Sequence, residues 1–365
     1  MEQRILSGKE QYEELDKWLT DNNALLVCGR SGHYSNKIKE VLNKHKNITY
    51  FSEYSPNPKF ESVFQGIEVY RKSNCNAVMA IGGGSALDVA KCIKAFATMP
   101  DTQDYLDQEI KDNGIPLLVI PTTAGTGSEA TRFAVIYRDE QKHSVNSAYC
   151  VPDVVLFDPD NLKGLPLYQR KATMMDALAH SLESLWSVNS TKESMDYSKK
   201  AIRLIKSHLH GYLDDTDEGN AGMQEAAFIA GKAINITQTT AGHAMCYKIT
   251  GLFGCAHGHA AMMCNRKLLP WMLEHMDKCI DTRGAEYLKD TFNALGEVLD
   301  LRDAHEASQY IEHLYDELEL EVPVPNEEQL RIMTKSVNVE RLKNNPVKLE
   351  EQDIAELYRI IFEVK

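Results

Sequence analysis

The residues with the clearest chemical potential are one aspartate and a few histidines in the second half of the chain. In 173–187 (TMMDALAHSLESLWS), Asp176 and His180 stand four positions apart. On a helix that spacing separates two side chains by about 40° and one turn, so both can reach one metal ion. The competing use of such a pair is a plain helix-surface contact. In 241–262 (AGHAMCYKITGLFGCAHGHAAM), His243 and His257 are 14 residues apart. A straight helix would hold them about 21 Å from each other. Sharing one ion therefore demands a reversal of the chain, and Gly251 and Gly254 are placed to stop the helix and turn it. His259 competes with His257, and spacing does not choose between them. A carboxylate with imidazoles suits a borderline divalent ion such as Fe²⁺, Zn²⁺, Co²⁺ or Ni²⁺. His208 and His210 lack such a context and read as surface residues.

Two glycine-rich stretches in the first half offer a different chemistry. In 77–91 (AVMAIGGGSALDVAK) an apolar strand runs into Gly82, Gly83 and Gly84, and Ser85 opens a helix, with Asp88 at capping-box spacing. Glycines let the backbone approach an anion, and a helix N-terminus adds unpaired N–H groups and a positive dipole end. The stretch is neither GxGxxG nor a P-loop, and a tight strand-to-helix turn would look the same. The second stretch, 121–129 (PTTAGTGSE), follows the strand PLLVI and supplies hydroxyls at Thr122, Thr123, Thr126 and Ser128. Two such loops at the carboxyl edge of one parallel sheet point to a nucleotide phosphate site.

The elements that must position these groups fall into two kinds. Apolar runs at 24–28, 47–51, 77–81 and 116–120 alternate with helix-like stretches at 35–45, 59–73 and 87–98, the pattern of a parallel sheet covered on both faces. The runs 133–137 and 153–157 have no helix between them and read as an antiparallel addition. From Lys171 onward helical spacing dominates. The expected fold class is α/β plus all-α, with residues 1–167 a dinucleotide-binding α/β domain and 168–365 a helical metal-binding domain. The 365 residues carry a net charge of −13. That charge argues against nucleic acid and anionic membrane as partners. No apolar run is long enough to span a bilayer, and the charged N-terminus lacks a signal core. Eight cysteines without CxxC fit reduced thiols. These features give a cytoplasmic expectation, and symmetry makes a homodimer the default.

GGGSALDVAK, PTTAGTGSEAT, VPDVVLFDP, DALAHSLES and the H-x13-H pair, in that order over roughly residues 20–275, resemble the iron-containing (group III) alcohol dehydrogenase family. The resemblance implies a dehydroquinate-synthase-like fold with the active site in a cleft between its domains. It implies a divalent metal, iron first and zinc second, on Asp176, His180, His243 and His257, which selects His257 over His259. It implies NAD(P)H along Gly82, Gly83, Gly84 and Ser85 with Asp88 nearby, with Thr122, Thr123, Thr126 and Ser128 on phosphates, ribose or nicotinamide. Lys142 resembles the family's lysine near the nicotinamide end. The implied chemistry is polarisation of an aldehyde carbonyl by the metal and hydride delivery by the nicotinamide.

Three departures refine the expectation. Tyr247 stands where many members carry a further histidine, and it either packs or shuttles a proton. Gly29, followed by Arg30 and Ser31, replaces a common aspartate after the first strand, which favours NADPH, or use of both cofactors, because no carboxylate repels a 2′-phosphate. Arg132 follows the second loop, and Lys248, Arg266 and Lys267 flank the histidines. These cations suggest a small anionic aldehyde held by charge-assisted bonds. HAMCYKITGLFG followed by HGHA resembles the phosphonoacetaldehyde reductase branch, which makes 2-hydroxyethylphosphonate; sulfoacetaldehyde, succinic semialdehyde and simple aldehydes are the alternatives. From other classes, the rivals are a dehydroquinate-synthase-like lyase, a metal hydrolase and a catalytically dead scaffold. The GTGSE loop, the DALAH pair and the intact ligand set favour the dehydrogenase.

Overall fold

The computed structural model describes residues 3–8, 10–30, 32, 34–101, 103–139, 141–337 and 339–364; Ser31, a proposed phosphate partner, lies outside them. The chain divides into two compact units, one of residues 1–123 and 127–164, the other of 124–126 and 165–365.

The first unit holds β1 (Arg4–Leu6), α1 (Gln11–Asp21), β2 (Ala24–Cys28), α2 (Asn36–Leu42), β3 (Ile48–Phe51), α3 (Phe60–Lys72), β4 (Ala77–Gly82), α4 (Gly84–Phe96), β5 (Leu117–Pro121), β6 (Phe133–Arg138), β7 (Gln141–Asn146) and β8 (Val154–Leu156). Six strands form one sheet in the order β1-β8-β5-β4-β2-β3, every neighbouring pair parallel. Alternate residues along its strands feed two separate cores. Leu25, Val27, Val78, Ala80, Leu117 and Val119 pack with α3 and α4. Leu26, Met79, Ile81, Leu118 and Ile120 pack with α1 and α2. Burial on both faces is why these strands read as unbroken apolar runs. The antiparallel expectation is half corrected. β6 pairs antiparallel with β7, which was not foreseen, in a separate two-stranded sheet. β8 instead joins the main sheet in parallel between β1 and β5.

The chain leaves β2 for β3 on one side and returns to β4 on the other. The strand order therefore reverses between β2 and β4, a position where such sheets bind ligands at the strands' carboxyl ends. Register sets Cys28 opposite Ile81, so Gly29 and Gly82 leave adjacent strands side by side.

The second unit is helical: α5 (Leu167–Trp186), α6 (Lys192–Leu213), α7 (Asp217–Thr237), α8 (Ala241–Phe253), α9 (His257–Glu274), α10 (Ala285–Val298), α11 (Ala304–Glu317), α12 (Glu327–Lys335), α13 (Val339–Leu342) and α14 (Glu351–Ile361). α5 packs against α6, α7 and α9, and α8 against α9. The reversal between α8 and α9 starts at Gly254, in the left-handed conformation at φ 71°, and ends at extended Ala256 before α9. Gly251 stays helical, correcting its assignment as a stop. His208 is half-buried rather than on the surface, its ring over Gly222 of α7 so closely that a Cβ there would lie 2.2 Å away.

Candidate active site: a metal centre and a glycine cradle

The helical unit gathers four groups that sequence spreads over 82 positions. Asp176, His180 and His243 are buried, and His257 is half-buried at the first turn of α9. One donor atom each from Asp176, His243 and His257 lies within 4.8 Å of the others. Asp176 Oδ1 is 3.6 Å from His243 Nε2 and 3.9 Å from His180 Nε2. The His180 and His243 rings stack with centroids 4.7 Å apart.

These separations are too long for hydrogen bonds. They are close to the roughly 3.4 Å that two metal–ligand bonds of about 2.1 Å at a tetrahedral angle would impose. Asp176 Oδ1 and His243 Nε2 are buried with no hydrogen-bond partner among the described residues. Burying such atoms unpaired costs on the order of 1–3 kcal/mol each. A cation between them removes that cost, so the donor set fits a divalent metal.

The electrostatics agree. Burial alone would raise the Asp176 carboxyl, but His180, His243 and His257 hold it well below the carboxylate range. Burial pushes His180 down to about 4, against the attraction of Asp176, leaving a neutral ring able to ligate. His243 goes the other way. Burial would lower it, yet Glu183 and Asp176 raise it to about 10.

Glycine lets the helices come this close. A Cβ on Gly258 would lie 2.2 Å from the Ala172 carbonyl oxygen and 2.4 Å from Asp176 Cβ. The start of α9 therefore rests directly on the backbone of α5 beside the ligands. Gly125 does the same from the second loop, where a Cβ would meet the Thr173 carbonyl at 2.5 Å. His259, the rival ligand, is buried and fully engaged: its Nδ1 meets the Tyr168 hydroxyl at 3.1 Å and its Nε2 the Tyr315 hydroxyl at 2.9 Å. Tyr247 stacks on the His257 ring, centroids 5.7 Å apart and planes 1° from parallel. Sequence reasoning missed Glu183, whose carboxylate bonds His243. It stands seven after Asp176 and three after His180, on the same helical stripe, a periodicity that could have revealed it.

In the α/β unit, Gly83 caps α4 and Ser85 lies inside its first turn, without a side-chain cap. The capping-box assignment of Asp88 is thereby corrected. Its carboxylate instead accepts from Ser128 Oγ at 2.7 Å and the Val135 amide at 2.9 Å. Ser128 is buried and Thr126 half-buried. Beneath the same loop, fully buried Lys91 donates to the carbonyls of Ser128, Thr131 and Phe133. Gly82, Gly83, Gly84, Ser85, Thr122 and Thr123 remain partly open at the carboxyl end of β4 and β5. The Thr122 amide donates to the Gly82 carbonyl at 3.0 Å. A Cβ on Gly83 would sit 3.2 Å from Thr123 Oγ1 and Cγ2, so the Thr123 side chain lies against the bare backbone of the glycine turn. Gly29 and Arg30 are exposed, and Arg30 pairs with Glu53. Lys142, half-buried on β7, contributes attraction at Asp88.

The cations suggested for substrate do not share one fate. Arg266 and Lys267 are spent elsewhere, which corrects their reading. Arg266 is buried, bonds Glu312 at 3.0 Å, and lies over the Tyr315 ring; Lys267 also bonds Glu312. Lys248 is exposed on α8, while Arg132 is half-buried with its guanidinium 5.2 Å from the Phe133 ring centroid.

Two family models match. Iron-containing alcohol dehydrogenase matches residues 2–159, and the Fe-containing alcohol dehydrogenase C-terminal family matches residues 171–362. Alcohol dehydrogenase 4 of Schizosaccharomyces pombe is 34% identical over 64% of this chain, which spans 56% of that protein. The 1,3-propanediol dehydrogenase of Citrobacter freundii is 30% identical over 98% of this chain and 93% of its own. Phosphonoacetaldehyde reductase of Streptomyces viridochromogenes is 28% identical over 79% of this chain and 76% of its own. Among solved structures, sulfoacetaldehyde reductase from Bifidobacterium kashiwanohense in complex with NAD⁺ superposes with a TM-score of 0.88. It is 23% identical and covers 100% of this chain and 98% of that one. That likeness shows a dehydroquinate-synthase-like fold.

Proposed function

The chain belongs to the iron-containing alcohol dehydrogenase family and is an NAD(P)-linked oxidoreductase of alcohols and aldehydes, and on that premise we propose that it reduces a small anionic aldehyde to its primary alcohol. Phosphonoacetaldehyde is the first candidate substrate and 2-hydroxyethylphosphonate its product. Sulfoacetaldehyde and succinic semialdehyde are the next candidates. The redox part rests on the cluster of buried Asp176, His180 and His243 with half-buried His257, and on the unpartnered Asp176 Oδ1 and His243 Nε2 that face each other in it. The anionic part rests on Arg132, a half-buried guanidinium beside the second loop, together with the two relatives whose names carry anionic aldehydes.

When bound, the metal supplies a Lewis acid for a carbonyl oxygen and the nicotinamide a hydride. The chain's own residues do the rest. Asp176, His180, His243 and His257 would hold the ion, Fe²⁺ first and Zn²⁺ second. The backbone of Gly82, Gly83 and Gly84 and the start of α4 would accept the cofactor's phosphates, with Ser85, Thr122, Thr123 and Thr126 supplying hydroxyls. Asp88 and Ser128 hold the second loop in place from beneath. Tyr247 keeps the His257 ring plane and is the candidate proton donor. Lys142 is assigned to the nicotinamide end. NADPH is preferred because Gly29 places no carboxylate at the β2 turn. The exposed Arg30–Glu53 pair, worth about 0–1 kcal/mol, is weak enough for a 2′-phosphate to displace. Eight cysteines with no disulfide among the described residues fit a reducing compartment, and the proposal is a cytoplasmic homodimer.

The test is NADPH and NADH oxidation with phosphonoacetaldehyde, sulfoacetaldehyde, succinic semialdehyde and propanal, with metal content measured on the same protein. Arg132→Ala should raise KM for the anionic aldehydes far more than for propanal. Equal loss on all four, or a preference for propanal in the wild type, refutes the anionic reading and leaves the family assignment standing.

A further inference from the structure

Glu183 lies on α5, one turn after His180, and is fully buried. Its two oxygens face five donors. Oε2 accepts from the Thr240 amide and from Thr240 Oγ1, the latter at 2.8 Å. Oε1 accepts from the His243 amide at 3.0 Å, His243 Nδ1 at 2.5 Å and Asn265 Nδ2 at 2.7 Å. An ionised carboxylate is an acceptor only, whereas a carboxylic acid or an amide brings hydrogens of its own. A cage of five donors therefore selects the carboxylate. Two of the donors are unpaired amides at the start of α8, so Glu183 of one helix also caps another, where a negative charge is favoured by the dipole.

The consequence falls on His243. With Nδ1 committed to donating toward Oε1, its other nitrogen is left as the ligating one. That nitrogen, Nε2, is the buried atom without a hydrogen-bond partner, 3.6 Å from Asp176 Oδ1. Asn265 completes the clamp and is itself wedged. A Cβ on Gly242 would lie 2.2 Å from its Oδ1, so the amide lies directly against the backbone of α8 where any larger residue at 242 would displace it. We infer that Glu183, braced by Asn265, is the positioning residue that aims His243 Nε2 at the metal and thereby sets how tightly the ion is held. The inference rests on the metal reading of the Asp176 cluster. A merely structural Glu183 would lower stability and leave metal affinity alone.

The experiment is a zinc titration of metal-stripped protein against a chromophoric chelator, for wild type, Glu183→Gln, Asn265→Ala and His243→Ala. A circular-dichroism melt in excess chelator is run for each. Zinc is the probe because it is redox-inert and needs no turnover. Loss of such an outer partner weakens metal binding by about 10–100-fold, and that is the expectation for Glu183→Gln. Asn265→Ala, which leaves four of the five donors, should lose less but measurably. In zinc-loaded wild type labelled with ¹⁵N-histidine, a strongly downfield proton should sit on Nδ1 of one imidazole and vanish in His243→Ala. Folded Glu183→Gln and Asn265→Ala proteins that bind zinc within twofold of wild type overturn the inference, as does a His243 proton found on Nε2. If Glu183→Gln does not fold, Asn265→Ala and the wild-type spectrum decide. A wild type that binds zinc no better than His243→Ala overturns the metal reading itself, and this inference with it.

Discussion

Gly258→Ala adds one methyl group next to the metal ligands and should break the site. The new Cβ would lie 2.2 Å from the Ala172 carbonyl oxygen, 2.4 Å from Asp176 Cβ and 2.8 Å from the Asp176 amide nitrogen. Two of these obstacles are backbone atoms of α5, which cannot rotate aside as a side chain would. Ordinary contact begins at 3.4 Å, so the first turn of α9 must withdraw by about 1.2 Å. His257 opens that turn and moves with it. Metal–ligand distances tolerate only about ±0.2 Å, and the Asp176, His243 and His257 donors already span up to 4.8 Å. Overpacking of this kind costs about 1–3 kcal/mol, which converts to a loss of roughly 5–150-fold in metal affinity. Gly251→Ala is the matched control. It lies in α8 with nothing within 4 Å of a Cβ, and alanine in place of a helical glycine is worth up to about 1 kcal/mol of stability. Zinc affinity by chelator competition, with melting curves in zinc and in chelator, reads both effects. A Gly258→Ala protein that binds zinc within twofold of wild type would refute the claim that helix approach sets the site.

His257→Ala should lose both metal and reductase activity, while His259→Ala should keep its metal, because both His259 ring nitrogens are occupied by tyrosine hydroxyls; metal analysis of the two purified variants separates them. Gly29→Asp should lower use of NADPH relative to NADH by roughly 5–150-fold, from about 1–3 kcal/mol of repulsion at the 2′-phosphate; an unchanged ratio of kcat/KM values would place the ribose elsewhere. Glu129 is buried, and burial pushes its carboxyl from 4.5 up to about 7, against the attraction of Lys91. A raised folded pKa means the folded state holds the extra proton, so this group's contribution to stability falls as pH rises from about 4.5 to 7. Denaturant melts at several pH values should therefore show Glu129→Gln gaining on wild type across that window; parallel curves would contradict the assignment.

What sequence by itself determined was local. Asp176 and His180 share a helix face because four residues make about one turn, and the same periodicity extends to Glu183. The unbroken apolar runs of β2, β4 and β5 announced a sheet buried on both faces, and the glycines after β4 marked where a backbone could meet an anion. Packing decided the rest, because it joins residues that no short-range period connects. His257 and His259 are equivalent in spacing, and they differ only in that α9 turns one toward Asp176 and the other toward Tyr168 and Tyr315. The glycines that matter most to the centre, Gly258 and Gly125, show their purpose only when another helix's backbone is found where their side chains would be. Arg266 and Lys267 looked like substrate cations until α11 supplied Glu312. Asp88 looked like a helix cap until Ser128 and Val135 arrived at its carboxylate. In each case the charge or hydrogen-bonding group was visible in the chain, but a buried polar group must find a partner, and which partner it finds is settled by tertiary structure.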